Sequence, residues 1–169
     1  MHGRLIANLR ALADHKVRFV VVGGIGAVLH GCPLSTFDLD VVHERSAANI
    51  ACLLQALDSV DAVYRMQPGR RLRPSAEALA GAGHHLLLTR NGPMDVLGEI
   101  GLGHDYAELS AVSEKIVVDE SLSLLVLNLE WIIRTKEEVG APKDLAALDL
   151  LRATLNERNK HASGEPDAE

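Results

Sequence analysis

The sequence predicts an α/β (α+β) chain: a mixed β-sheet flanked by helices, closed by a C-terminal helical hairpin. Three observations predict it. Residues 18–22, Arg-Phe-Val-Val-Val, are a short β-branched run ending in Gly23-Gly24, as a buried strand does. Residues 37–42, Phe-Asp-Leu-Asp-Val-Val, begin as a strict alternation, with Phe37, Leu39 and Val41 on one face and Asp38, Asp40 and Val42 on the other. Asn91-Gly92 separates the apolar stretches His84 to Thr89 and Met94 to Ile100, a strong hairpin signal.

The remaining elements follow in chain order. Leu5, Ile6, Leu9 and Leu12 stand at helical spacing, which predicts an amphipathic first helix over 4–14. Residues 24–30 read as a short helix stopped by Gly31 and Pro33. Ser46 is positioned to cap a helix over 47–58, with Ile50, Leu53, Leu54 and Leu57 on its apolar side. Residues 61–65 read as a strand. The stretch 66–83, with Pro68, Pro74 and three glycines, reads as a long loop holding one helical turn. Residues 115–118 and 123–127 are short apolar runs expected as strands. Asn128 is placed to cap a helix over 129–138; Gly140-Ala-Pro142 turns the chain into a second helix from Lys143 to Leu155. The expected organisation is an α/β core over 1–127, a helical hairpin over 128–157 packed on it, and a disordered polar tail over 158–169.

Composition narrows the function classes. The chain has 169 residues and is 47% hydrophobic, enough for one domain with a proper core. Aromatics are 3%, which argues against a stacking platform for single-stranded nucleic acid. The net charge of -6 disfavours a broad phosphate-tracking surface. One local exception is the group Arg65, Arg70, Arg71 and Arg73, read either as a solvated loop or as a phosphate- or RNA-facing one. Cys32 and Cys52 match no metal spacing, and no apolar run reaches membrane-spanning length, so a reduced, cytoplasmic setting is expected. His30, His84, His85 and His104 lack a Cys or His partner at zinc spacing; His30 reads as a helix-end residue suited to the helix dipole.

Asp38 and Asp40 carry the chemistry. At i and i+2 on a strand they project from one face, with Cβ atoms about 6.5–7 Å apart. Two such carboxylates repel unless a cation lies between them, and hard oxygen ligands suit Mg²⁺ (or Mn²⁺) bound together with substrate phosphates. Gly23-Gly24 allows a phosphate to approach the backbone closely. A dinucleotide-binding turn fails on detail, because Leu29 stands at its third glycine position, and no Lys-Ser/Thr follows to make a P-loop. Full two-metal chemistry calls for a third acid. Asp95, flanked by Met94 and Val96 on the second hairpin strand, is the candidate for metal ligand or general base, with Glu99 in reserve.

These residues carry a resemblance. Gly23-Gly24, thirteen intervening residues, then Asp38-Leu39-Asp40 resembles the signature of the nucleotidyltransferase (DNA polymerase β-like) superfamily. The run from Val22 to Asp40 is similar to the small bacterial group that includes the AbiEii-type toxins. That group carries a Lys and then Lys/Arg-Asp in a C-terminal helix-loop-helix; Lys136 and Lys143-Asp144 match it. The likeness spans about residues 15–150. It implies the nucleotidyltransferase fold, phosphates held by Gly23 and Gly24, metals by Asp38 and Asp40, and a triphosphate contacted by Lys136 and Lys143 with Asp144 nearby. Two departures stand out: Leu34-Ser35-Thr36 replaces an Arg that many relatives carry, and Val22 replaces a Lys found in some toxin relatives. Ser35 and Thr36 could donate hydroxyl contacts to a phosphate instead.

The expected function is Mg²⁺-dependent transfer of NMP from an NTP to a hydroxyl or phosphate acceptor: tRNA or another RNA, a protein, or a small molecule. The rival is a catalytically weak or inactive module that binds a nucleotide or a partner. A toxin with a cognate antitoxin, or part of a phage-defence pair, is the biological setting the resemblance suggests. The sequence leaves the oligomeric state open.

Overall fold

A computed structural model of the chain describes residues 2–163. Its centre is a pair of antiparallel strands, β1 (Phe19–Val22) and β2 (Leu39–His43), in register from Phe19 opposite His43 to Val22 opposite Asp40. β2 pairs in parallel with β5 (Gly92–Leu97), and β5 pairs antiparallel with β4 (His84–Thr89). The two-residue β3 (Val63–Tyr64) closes that edge. On the other side β1 runs parallel to β9 (Leu122–Leu127), which forms a hairpin with β8 (Ser113–Asp119). The result is one mixed seven-stranded sheet in the order β3-β4-β5-β2-β1-β9-β8.

Both faces of the sheet are covered, which explains why all four residues of β1 are apolar and buried. On one face, Leu9 and Leu12 of α1 (His2–Asp14) and Ile50, Leu53 and Leu57 of α3 (Ala47–Ser59) pack on Val21, Leu39, Val41, Met94 and Val96. On the other, Val20, Val22, Val42, Leu97 and Leu127 meet Ala27 of α2 (Gly23–Leu29) and Leu109 of α5 (Tyr106–Ala111). Ile132 of α6 (Leu129–Val139) and Leu151 of α7 (Pro142–Ser163) complete that second layer. The predicted caps are in place: Ser46 Oγ accepts from Asn49 N at 3.3 Å, and Asn128 Oδ1 from Trp131 N at 2.9 Å.

Several boundaries differ from the sequence expectation. β2 starts at Leu39, and Phe37 is 59% exposed rather than on the core face. The reason lies in the pairing: β1 ends at Val22, where Gly23 turns into α2, so Asp38 has no ladder partner on that side. The stretch 66–83 holds a 3₁₀ turn at Pro68–Arg70 and a five-residue helix, α4 (Ala76–Ala80), capped by Ser75. The stretch read as one strand to Ile100 breaks at Gly98, and its end, β6 (Glu99–Ile100), pairs instead with β7 (His104–Asp105); α5 and β7 have no counterpart in the sequence reading. α7 continues past Leu155 to Ser163, into the segment expected as a tail. Arg158 accounts for part of that extension, reaching His30 Nδ1 at 2.6 Å and Glu114 Oε2 at 3.1 Å. Residues 164–169 of the expected tail lie outside the described residues.

Gly98 joins β5 to the β6–β7 ribbon where two backbones nearly touch. A Cβ there would lie 2.4 Å from Gly81 O and 2.8 Å from Ala82 Cα, both main-chain atoms that cannot swing aside. Gly98→Ala is therefore expected to destabilise the fold by about 1–3 kcal/mol, read as a lowered urea midpoint; an unchanged midpoint would contradict the close packing.

Candidate active site

The parallel pairing of β2 with β5 sets Asp40 directly beside Asp95. Neighbouring strands lie about 4.8 Å apart, and in-register residues share a face. Asp40 and Asp95 alternate with Leu39, Val41, Met94 and Val96, so both point to the layer that holds α6 and α7. Asp38 stands one residue before β2, with its side chain 47% exposed. The structure thus brings the three predicted acids to one end of the sheet, two of them inside it and one on its rim.

The glycine turn is built against this pair. Gly23 has φ +64°, and a Cβ on it would lie 2.3 Å from Asp40 Oδ2. A Cβ on Gly24 would meet Thr36 Oγ1 at 2.8 Å. The turn therefore needs glycine twice: once for a left-handed backbone packed on a carboxylate, once to admit the Thr36 hydroxyl. Ser35 is exposed in the preceding loop and is not drawn into the cluster.

Lys136 and Lys143 come from the facing helices. With Gly23, Asp40, Asp95, Asp144, Thr135 and His84 they line a cleft of about 300 Å³. Lys136 Nζ is 2.7 Å from Asp144 Oδ1, an ion pair across the α6–α7 turn with both side chains mostly buried. Gly140, at φ +64°, makes that turn and donates its N–H to Lys136 O at 2.9 Å. The C-terminal pattern thus reaches the same site as the glycine turn and the acids. His84 fixes its ring by donating Nε2–H to Glu99 O at 2.8 Å.

Burial raises the pKa of Asp40 to about 7, with further contributions from the Asp95 and Asp38 charges that the two lysines partly offset. Burial also raises the pKa of Asp95, opposed by the Arg65 guanidinium beside it. Asp95 Oδ1 is a buried acceptor that receives no hydrogen bond. Among the described residues, no three acid, His or Cys side chains converge tightly enough to enclose one metal ion. The set still suits a hard divalent cation. Mg²⁺ is held by one or two carboxylates together with substrate phosphates rather than by an all-protein cage. Like charges gathered in a largely buried site are what such an ion would relieve.

Arg65 is the site residue that sequence reasoning did not single out. In the sequence it ends the 61–65 strand and is one of four arginines read as a solvated or a phosphate- or RNA-facing group. Arg71 and Arg73 in fact pair with Asp61 and Asp58 at 2.6–2.8 Å, and Arg70 bonds Gln67 at 3.1 Å. Arg65 alone points into the acids: Nη1 is 3.1 Å from Asp95 Oδ1 and 3.9 Å from Asp38 Oδ2, and Nη2 is 3.2 Å from Asp95 Oδ2. The only signal was its place at the end of the 61–65 strand, which is uninformative without the sheet order. His30 needs correction in another sense. It sits at the end of α2, but its ring is buried, donates Nε2–H to Leu127 O at 2.8 Å and is kept neutral by burial, so it is not a cation serving the helix dipole.

No protein-family model matches the sequence, and no curated protein matches it significantly. Solved structures do. The crystal structure of a "putative nucleotidyltransferase" from Thermotoga maritima superposes with a TM-score of 0.56 at 18% identity, covering 89% of each chain. The chain therefore has the nucleotidyltransferase fold, a mixed sheet flanked by helices, with Asp40 and Asp95 on adjacent central strands.

Proposed function

We propose that the chain is a Mg²⁺- or Mn²⁺-dependent nucleotidyltransferase that moves NMP from an NTP to a hydroxyl or phosphate acceptor. The observation that carries this reading is the register of Asp40 with Asp95, packed against the Gly23 turn and faced by Lys136 and Lys143. Asp38 and Asp40 would hold the cation, and Asp95 would share it. Bound Mg²⁺ supplies positive charge to the transferring phosphoryl group and the departing pyrophosphate. The acceptor oxygen forms a bond to the α-phosphorus as the bond to pyrophosphate breaks. Asp95 would take the acceptor proton. Gly23 and Gly24 admit the phosphates to the backbone, with the Thr36 hydroxyl beside them and Ser35 next in the loop. Lys143 and Lys136 would contact the triphosphate, and Asp144 fixes the Lys136 ammonium. The acceptor class covers tRNA or other RNA ends, a protein side chain and small molecules.

The test is incubation with labelled NTP and Mg²⁺, scoring pyrophosphate release and any labelled product. The wild type should release pyrophosphate, and the Asp38→Ala/Asp40→Ala variant should not. Equal release from both would sink the proposal. A second reading has its own support: Lys136 is already neutralised by Asp144, and Leu34-Ser35-Thr36 stands where many relatives have an Arg. A binding module of this kind would show NTP binding in calorimetry with no pyrophosphate release. The AbiEii-type resemblance extends the first reading to a toxin paired with an antitoxin or serving in phage defence. Expression of the wild type, but not of the double variant, should then arrest growth. Among the described residues no helix is long and apolar enough to cross a membrane.

A further inference from the structure

We infer that Arg65 is a built-in counter-ion of the acidic centre, a positioning residue that clamps Asp95 and Asp38 until a divalent cation takes its place. Four observations converge on it. The guanidinium meets both oxygens of Asp95 at 3.1 and 3.2 Å, and its Nη1 lies 3.9 Å from Asp38 Oδ2, so one side chain spans two of the three acids. Its backbone is fixed: Arg65 N donates to Leu86 O at 3.1 Å, tying it to the strand next to the one that carries Asp95. The other arginines of the segment are engaged elsewhere, by Asp58, Asp61 and Gln67. And three carboxylates gathered at one sheet end nevertheless fail to converge on a single ion position.

Arg65 Nη1 stands between Asp38 Oδ2 and Asp95 Oδ1, at 3.9 and 3.1 Å, in the space between two of the acids that a cation would enter. It also leaves Asp95 Oδ1 within charge range but outside hydrogen-bond geometry, hence the orphaned oxygen. Like charges gathered this closely need compensation at all times, and Arg65 supplies it through a hydrogen bond to Asp95 Oδ2 and charge contacts to Asp95 Oδ1 and Asp38 Oδ2. Cation binding therefore costs the Arg65–Asp95 pair, and affinity in the absence of nucleotide is held below what the acids alone would give. Once released, Arg65 has no other acid within ion-pair range among the described residues, so it is free to face a phosphate that arrives with substrate. This inference rests on the metal-binding reading above, but not on turnover.

The experiment is Mn²⁺ titration without nucleotide, by calorimetry or by electron paramagnetic resonance of free Mn²⁺, on the full chain. Arg65→Gln should bind Mn²⁺ about tenfold more tightly than wild type while melting at a lower temperature without metal; Arg65→Lys, which keeps charge but loses the fork, should fall between. In an Asp95→Asn background, Arg65→Gln should change Mn²⁺ affinity less than about twofold, because the pair it breaks is already gone. On the wild type itself, added Mg²⁺ should shift the Arg65 Nε–H resonance, so the idea stays testable even if the variants fold poorly. Unchanged or weaker Mn²⁺ binding by Arg65→Gln, no measurable Mn²⁺ binding by either protein, or an unmoved Arg65 resonance would each overturn it. Tighter Mn²⁺ binding with no pyrophosphate release from any NTP would uphold Arg65's role and reject the proposed transfer. Release of pyrophosphate with Mn²⁺ affinity insensitive to Arg65 would do the reverse.

Discussion

Asp40→Asn is expected to abolish nucleotidyl transfer, by about 10³-fold or more, while raising the stability of the metal-free protein. Asp40 is mostly shielded beside Asp95 and close to Asp38; desolvation first, then the charges of Asp95 and Asp38, raise its pKa to about 7. Asparagine keeps the shape and removes the charge, and is expected to stabilise the fold by about 1–2 kcal/mol near pH 8, or roughly 3–6 °C in melting temperature. The pH dependence has a definite sign. Between the unfolded pKa of 3.8 and the folded value of about 7, the native state holds more protons at this group than the unfolded chain does. Its contribution to stability is therefore full below pH 4, falls as pH rises through 7, and is flat above that. His30, His43 and His85, whose pKa values burial lowers, act oppositely, favouring the fold as pH rises toward 6.5. The difference between wild type and Asp40→Asn cancels the histidines and isolates the Asp40 slope. A variant less stable than wild type at pH 8, or one that keeps its activity, would contradict the placement of Asp40 in a strained acidic pair.

Gly23→Ala is expected to damage fold and site together. The residue adopts φ +64°, which an L side chain resists, and its Cβ would sit 2.3 Å from Asp40 Oδ2. Either the turn opens or the carboxylate rotates away from Asp95. The expected cost is about 1–3 kcal/mol in stability together with a loss of metal-dependent activity. Gly31→Ala makes a useful contrast. Gly31 also has positive φ, at +91°, but nothing lies within 4 Å of its Cβ position, so stability should fall by a similar backbone term while cation binding stays intact. Equal cation affinity in Gly23→Ala and wild type would show that the turn does not support Asp40.

The elements that sequence patterning located are those whose signals are local. The Val run before Gly23, the Leu39-Asp40-Val41 alternation, the Asn91-Gly92 turn and the Ser46 and Asn128 caps each rest on residues within a few positions of one another. Phe37 was misplaced for a non-local reason: alternation continues through it, but the partner strand ends at Val22. The juxtaposition of Asp40 with Asp95 is legible only once β2 and β5 are known to be parallel neighbours, a pairing across some fifty residues that no local pattern encodes. Arg65 is harder still, because its position depends on two further pairings, β3 with β4 and β4 with β5. The six-residue α5 and the two-residue β7 are too short to carry a periodic signal. The far end of α7 is polar and depends on Arg158 reaching His30 and Glu114, contacts more than forty residues away in the chain.

The central claim is that Asp38, Asp40 and Asp95, backed by the Gly23-Gly24 turn and the α6–α7 lysines, form one metal–triphosphate centre. Crystals soaked with Mn²⁺ and an NTP analogue that cannot be cleaved between its α- and β-phosphorus atoms test it most directly. Anomalous scattering should place Mn²⁺ about 2.0–2.3 Å from oxygens of Asp38 and Asp40, with the triphosphate lying between the Gly23-Gly24 backbone and Lys143. Mn²⁺ at any other place, or a triphosphate that leaves the Gly23-Gly24 turn and these carboxylates untouched, would contradict it.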